Sequence, residues 1–108
     1  MSLLFIIKCQ EEKYYLGLSK NFISIFFKHL ENHDNIPWMN TYKPMELMHI
    51  EHFFNLKMLN NCVIYYMHIY GIENVRGGIY SDVTLDLNQY NEIRDKINEI
   101  NEINNDDV

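Results

Sequence analysis

The sequence predicts an α+β domain: a small antiparallel sheet, made of an N-terminal hairpin and a third strand, packed with two to three helices. Three observations carry this prediction. Two β-branched and aromatic runs stand close together at the N-terminus, apolar residues then recur at helical spacing in three later stretches, and short turn-forming segments separate them. With 108 residues, 47% of them hydrophobic, the chain can enclose one core and is too short for two ordinary domains.

The first run, "LLFIIKC" (Leu3 to Cys9), is followed after the polar "QEE" by "KYYLGL" (Lys13 to Leu18), and the pair reads as a hairpin. In "SKNFISIFFKHLEN" the apolar residues Phe22, Ile25, Phe26 and Leu30 fall on one helical face, with Ser19 or Asn21 available as cap. Asn32 to Pro44 holds both prolines and the only tryptophan, so it reads as a loop pinned by Trp38. "MELMHIEHF" reads as a third strand. From Asn55 onward Met58, Leu59, Cys62, Val63, Tyr66, Met67 and Tyr70 predict a second helix that Gly71 stops.

An Arg-Gly-Gly loop comes next, and "IYSDVTLDL" then reads as a short edge or an irregular connection. Asp86 and Gln89 have the spacing of a capping box. Leu87, Tyr90, Ile93, Ile97 and Ile100 form the apolar stripe of a last helix, along which Glu92 and Lys96 make an i, i+4 pair. The chain therefore divides into a body, residues 1–86, and an acidic C-terminal helix and tail, residues 87–108.

The formal net charge of −6 is unevenly placed. Met1 to Ser81 carries seven basic and seven acidic residues, whereas Asp82 to Val108 carries two basic and eight acidic. A neutral body and an acidic tail give no general help to nucleic-acid binding, which rests on Lys and Arg neutralising phosphates. Cys9 and Cys62 are far apart and lack the paired spacing of a zinc site, so both read as reduced, buried thiols. "MSLLFIIKCQ" has no basic leader region, and its apolar run is shorter than the ~20 residues of a membrane span. A soluble intracellular protein, cytoplasmic or nuclear and without membrane association, is expected.

Four features then occur in a recognisable order. They are a strand reading "KYYLG", a helix ending "KHLENH", the loop "PWMNTYKPMEL" and a helix ending "YYMHIYGIENVRGGIY". Together they resemble the GIY-YIG nuclease superfamily, most closely a branch found in large DNA viruses, over about residues 3 to 82. The "YM", "YG" and "NVRGG" elements at their intervals are the most specific part. The resemblance implies a sheet surface holding tyrosines, an arginine and a metal-binding glutamate. Phosphodiester hydrolysis needs a proton acceptor, a guanidinium against the phosphate charge and a carboxylate for a divalent ion.

Measured against that pattern, Tyr15 occupies the tyrosine of the second motif and His29 matches the helical histidine, but Phe5 stands where the first motif's tyrosine is expected. "NFISIFFKHL" has no arginine, and Asn55 to Tyr70 has no acidic residue. The zinc knuckle carried by some members of the branch is missing too, since no cysteine follows Cys62. The resemblance thus implies a degenerate domain whose remnant catalytic candidates are Tyr15, His29 and Arg76. Candidate binding residues are Lys13, Tyr14, Tyr15, Lys20, Arg76, Gly77 and Gly78.

Each candidate has a plainer alternative. Gly77 and Gly78 could let backbone amides approach a phosphate, or could take positive φ while Arg76 ties the loop to a carboxylate or carbonyl. His49 and His52, near His68, could ligate a metal only if they shared a face, which i, i+3 residues of a strand do not. His29 and His33 lack a third ligand in sequence, and no metal site is expected. Most tyrosines lie at core spacing, Tyr66 and Tyr70 among them, which leaves Tyr14, Tyr15 and Lys13 as an exposed remnant of a cleft.

Three functional readings follow. The first is a catalytically inactive domain kept as a binding or scaffold module, needing no cofactor, with a protein partner or self-association favoured over nucleic acid. The second is a divergent endonuclease on DNA or RNA using Mg or Mn. The third is a virion or assembly component that offers its C-terminal helix stripe to a partner.

Overall fold

The computed structural model describes residues 2–19 and 36–106. The helix expected over Phe22 to Leu30, and with it Lys20, His29 and His33, lies outside the described residues.

β1 (Ser2–Cys9) and β2 (Lys13–Ser19) form the expected hairpin, in antiparallel register from Leu3 opposite Ser19 to Cys9 opposite Lys13. Their turn is unusual. The Lys13 N–H returns to the Gln10 carbonyl across Glu11 and Glu12, whose φ angles are 60° and 59°. Two left-handed central residues match the twist of a hairpin, but in glutamate they cost roughly 1–2 kcal/mol each.

β3 (Pro44–Phe54) pairs antiparallel with the other side of β1, in a register interrupted at three points. The sheet has a fourth strand as well. β4 (Val75–Gly77), in the segment expected to be an Arg-Gly-Gly loop, runs parallel to β2, so the order is β3-β1-β2-β4 and the sheet is mixed. Val75 is β-branched and wholly buried, and tertiary pairing outweighs the turn signal of the two glycines. The following segment is irregular, with Tyr80 alone bridging back to Gly77.

The Trp38 loop contains a short helix, α1 (Pro37–Thr41). Proline at the first helical position has its φ already set and lacks only an N–H that would have had no helical partner. Trp38 is the expected pin: it is 1% exposed, and its Nε1–H donates to the Tyr14 carbonyl at 3.0 Å.

α2 (Leu56–Tyr70) begins at Asn55, whose Oδ1 accepts the Met58 N–H at 2.9 Å, and ends at Gly71 with φ 102°. α3 (Leu87–Asp106) starts with the predicted capping box. The Gln89 N–H donates to Asp86 Oδ1 at 2.8 Å, and the Asp86 N–H donates to Gln89 Oε1 at 3.1 Å.

Strand alternation divides the core between the two faces of the sheet. Leu4, Ile6, Tyr14 and Leu16 face α2 and α3, meeting Leu59, Val63, Ile64, Met67, Tyr80 and Ile93. Phe5, Ile7 and Cys9 face the other way, onto Met39 of α1, with Tyr15, Tyr42 and Leu47 packed around them. Ile93 is fully buried, and Ile97 and Ile100 rest on the same cluster, so the C-terminal helix shares the core of the body. Tyr66 also packs on this cluster, whereas Tyr70, expected in the core, lies at its exposed edge.

Candidate functional site

Register brings the sequence candidates to one place. Tyr15 on β2 lies beside Ile7 of β1 and beside Arg76 of β4, while Lys13 lies beside Cys9. Neighbours in register share a face, so Lys13, Tyr15 and Arg76 stand on the α1 side together with Phe5. Tyr14, one residue out of phase, is turned into the helix-side core. It is buried there and stacked on Tyr70 at 4.3 Å between ring centroids, so it is not part of an exposed cleft.

Arg76 is 5% exposed, and four of the five N–H groups of its guanidinium are committed. Nε–H donates to the Asp82 carbonyl, Nη1 to the Ile72 and Val75 carbonyls and Nη2 to the Val83 carbonyl, at 2.5 to 3.2 Å. Trp38 closes the remaining side, with the guanidinium carbon 4.6 Å from its ring centroid. Burial lowers the Arg76 pKa, against the opposing influence of Glu73, Tyr42 and Asp82. Four planar N–H vectors matched to four carbonyls leave no fork for a phosphate, and the residue is a clasp on residues 72–83.

The two glycines serve the same connection. A Cβ on Gly77 would meet the Leu16 carbonyl oxygen at 2.2 Å, and Gly78, at φ 55°, would press one into Asn60 Oδ1. The Gly77 N–H donates to the Tyr80 carbonyl at 2.9 Å, and the Ile79 N–H donates to Asn60 Oδ1 at 3.1 Å. These amides close a turn and do not cradle an anion. The backbone alternative holds for Arg76, Gly77 and Gly78 alike.

Tyr15 is half-buried, with its ring centroid 6.3 Å from that of Phe5. Burial raises the pKa of its hydroxyl, which opposes formation of the phenolate that proton abstraction would use. The Phe5 ring lies across Gly17, where a Cβ would come within 2.5 Å of its Cζ, so the glycine of "YYLG" seats an aromatic ring. Lys13 is also engaged: its Nζ donates to Asn74 Oδ1 at 2.7 Å and lies 5.2 Å from the Tyr42 ring centroid. Asn74 in turn donates from Nδ2 to the Tyr70 carbonyl.

His49 Nε2 is 3.1 Å from Glu51 Oε1 on β3, at an exposed position. Among the described residues no group of three or more His, Cys, Asp or Glu side chains could hold an ion. Both cysteines are free thiols; burial pushes Cys9 up to about 12 and raises Cys62, with Glu51 adding to the latter. Thiolate chemistry is suppressed at both. Among the described residues no helix is long and apolar enough to cross a membrane.

Sequence reasoning named Arg76 and Trp38 separately and missed that one stacks on the other. It also missed Asn60 and Asn74, which anchor the Gly78 turn and Lys13. Nothing in a lone asparagine's neighbours marks such a role, because its partners are distant in sequence. No family model matches the chain, and no curated protein and no solved structure was found to match it.

Proposed function

We propose that the chain is a catalytically inactive, GIY-YIG-like domain retained as a binding or scaffold module. One observation carries the reading: the only arginine on the candidate surface is spent on four backbone carbonyls beneath an indole ring. Charge stabilisation and a bound metal each supply several kcal/mol to phosphodiester cleavage. Among the described residues neither is offered to Tyr15, whose own hydroxyl is held toward its neutral form.

A protein partner suits the exterior better than a nucleic acid. The open side of α2 presents Tyr65, Ile69 and Tyr70, and Glu51 acts electrostatically on Cys62 and Tyr66 along that flank. A carboxylate beside an aromatic row opposes phosphate. We expect supercoiled plasmid to stay intact with Mg or Mn, and labelled single-stranded DNA, duplex DNA and RNA to show no salt-sensitive rise in anisotropy. Metal-dependent nicking that Tyr15→Phe abolishes would return the chain to the nucleases. Salt-sensitive binding without nicking would keep the inactive domain and make nucleic acid its partner.

A further inference from the structure

Strand β3 is the edge of the sheet, and its character is unusual for an edge. It runs eleven residues, and its far side pairs with no other strand among the described residues. Edges in monomeric proteins are commonly blunted with charged side chains, above all lysine, with proline, with β-bulges or with cover from another element, and of these β3 has two glutamates and the breaks in its register with β1. From Met45 to Phe54, "MELMHIEHFF" has no lysine, arginine or proline. Met45, Met48 and Ile50 are instead 63%, 43% and 37% exposed.

The regular centre of this strand is self-complementary. Ile50, His49 and Glu51 lie opposite Phe5, Ile6 and Leu4 of β1 in unbroken register. His49 and Glu51 therefore share the face that bears α2 and α3, and Ile50 points to the α1 side. Suppose a second copy is laid antiparallel along the edge with Ile50 on the two-fold axis. Each His49 then stands directly opposite the Glu51 of its mate, twice by symmetry, and Ile50 meets Ile50 on the opposite face. The imidazole and carboxylate already lie 3.1 Å apart within one strand, so across the axis two imidazoles and two carboxylates alternate. Moving the axis to His49 sets Glu51 against Leu47 and removes this match. A register of odd sum that pairs Met48 with His49 sets Glu46 against Glu51.

We propose that β3 is a self-association surface on which two copies join edge to edge, centred on Ile50, to make one continuous eight-stranded sheet. The occupant is a second copy because the His-Ile-Glu triplet complements its own reverse, and the open row of backbone N–H and C=O groups is satisfied by the same strand. The inference is independent of whether the chain binds nucleic acid or cleaves it.

The test is the mass of the full chain in solution across a dilution series, by light scattering or sedimentation, joined to a charge swap. The wild type is expected to be a dimer that dissociates on dilution. His49→Glu opposes carboxylates at two symmetric positions and should weaken the dimer by roughly tenfold or more. Adding Glu51→His to it restores both pairs and should return the affinity. Ile50→Lys, which sets two ammonium groups on the axis, should give a monomer with an unchanged circular dichroism spectrum. A wild type that stays monomeric at every concentration overturns the proposal, and so does a dimer indifferent to Ile50→Lys. A dimer weakened by His49→Glu but not rescued by the swap overturns the register centred on Ile50. Capture of an extended peptide from another protein by a monomeric wild type would assign the edge to a different occupant and overturn it as well.

Discussion

Arg76 illustrates how a residue type that suggests chemistry can be structural. An arginine beside two glycines invites a phosphate, yet its planar fork finds carbonyls at Ile72, Val75, Asp82 and Val83 and a ring at Trp38. Removing the side chain would leave buried acceptors without donors and the indole without its platform. Arg76→Ala is therefore expected to lower stability by about 3 kcal/mol or more, read by urea denaturation. Arg76→Lys should recover only part of that loss, since one ammonium cannot follow four directions. A variant that kept wild-type stability would show that the guanidinium is not the clasp described, and would reopen its use on a ligand. The roles of Gly77 and Gly78 follow the same logic: the Leu16 carbonyl and the Asn60 side chain occupy the space that a Cβ would need.

Among the elements, those with strong periodicity were legible and those made by tertiary pairing were not. The hairpin, β3, α2 with its Asn55 and Gly71 ends, and the Asp86–Gln89 capping box could all be read from local spacing. β4 could not, because three residues pairing in parallel with a strand some sixty positions earlier leave no local pattern. Nor could α1, which is one short helical stretch held by Trp38, nor the left-handed Glu11–Glu12 turn, where Asn-Gly would have been the signal. The attachment of α3 was half legible. Its stripe was visible, but not the bond from the Tyr80 hydroxyl to Glu92 Oε1 at 2.6 Å. Burial first, then Glu92, raises the Tyr80 pKa, and the Tyr80 bond, then Lys96, lowers that of Glu92. A depressed carboxylate stabilises the fold above its unfolded value of ~4.3 and loses that contribution as pH falls through the folded value. A raised phenol withdraws stability as pH climbs past ~10. Tyr80→Phe should therefore flatten both limbs of the profile of melting temperature against pH, the alkaline limb most, while Lys96 keeps part of the acid limb. An unchanged alkaline limb would show that the Tyr80–Glu92 bond does not couple to folding.

At the scale of the whole molecule, the sheet is covered on both faces, and the division into a body and an acidic tail does not follow the packing. Ile93 lies in one cluster with Leu4, Ile6, Leu16, Val63 and Tyr80, and Ile97 and Ile100 rest on its rim beside Ile64. The stripe that sequence alone could offer to a partner is in good part the lid of the chain's own core. Burying an isoleucine is worth roughly 1.5–3 kcal/mol when complete. One such residue and two partial ones rival the lower end of the ~5–15 kcal/mol that holds a domain together. A chain ending at Asp86 also loses the Tyr80–Glu92 bond and the cover that Ile93, Ile97 and Ile100 give the core cluster. We expect it to lose cooperative thermal unfolding and near-ultraviolet circular dichroism while retaining far-ultraviolet signal from α2 and the hairpin. If it melts like the full chain, α3 is an appendage and its apolar stripe is free for a partner. If it collapses as expected, interaction must use other surfaces, and among the described residues the edge of β3 and the exposed flank of α2 are the ones available.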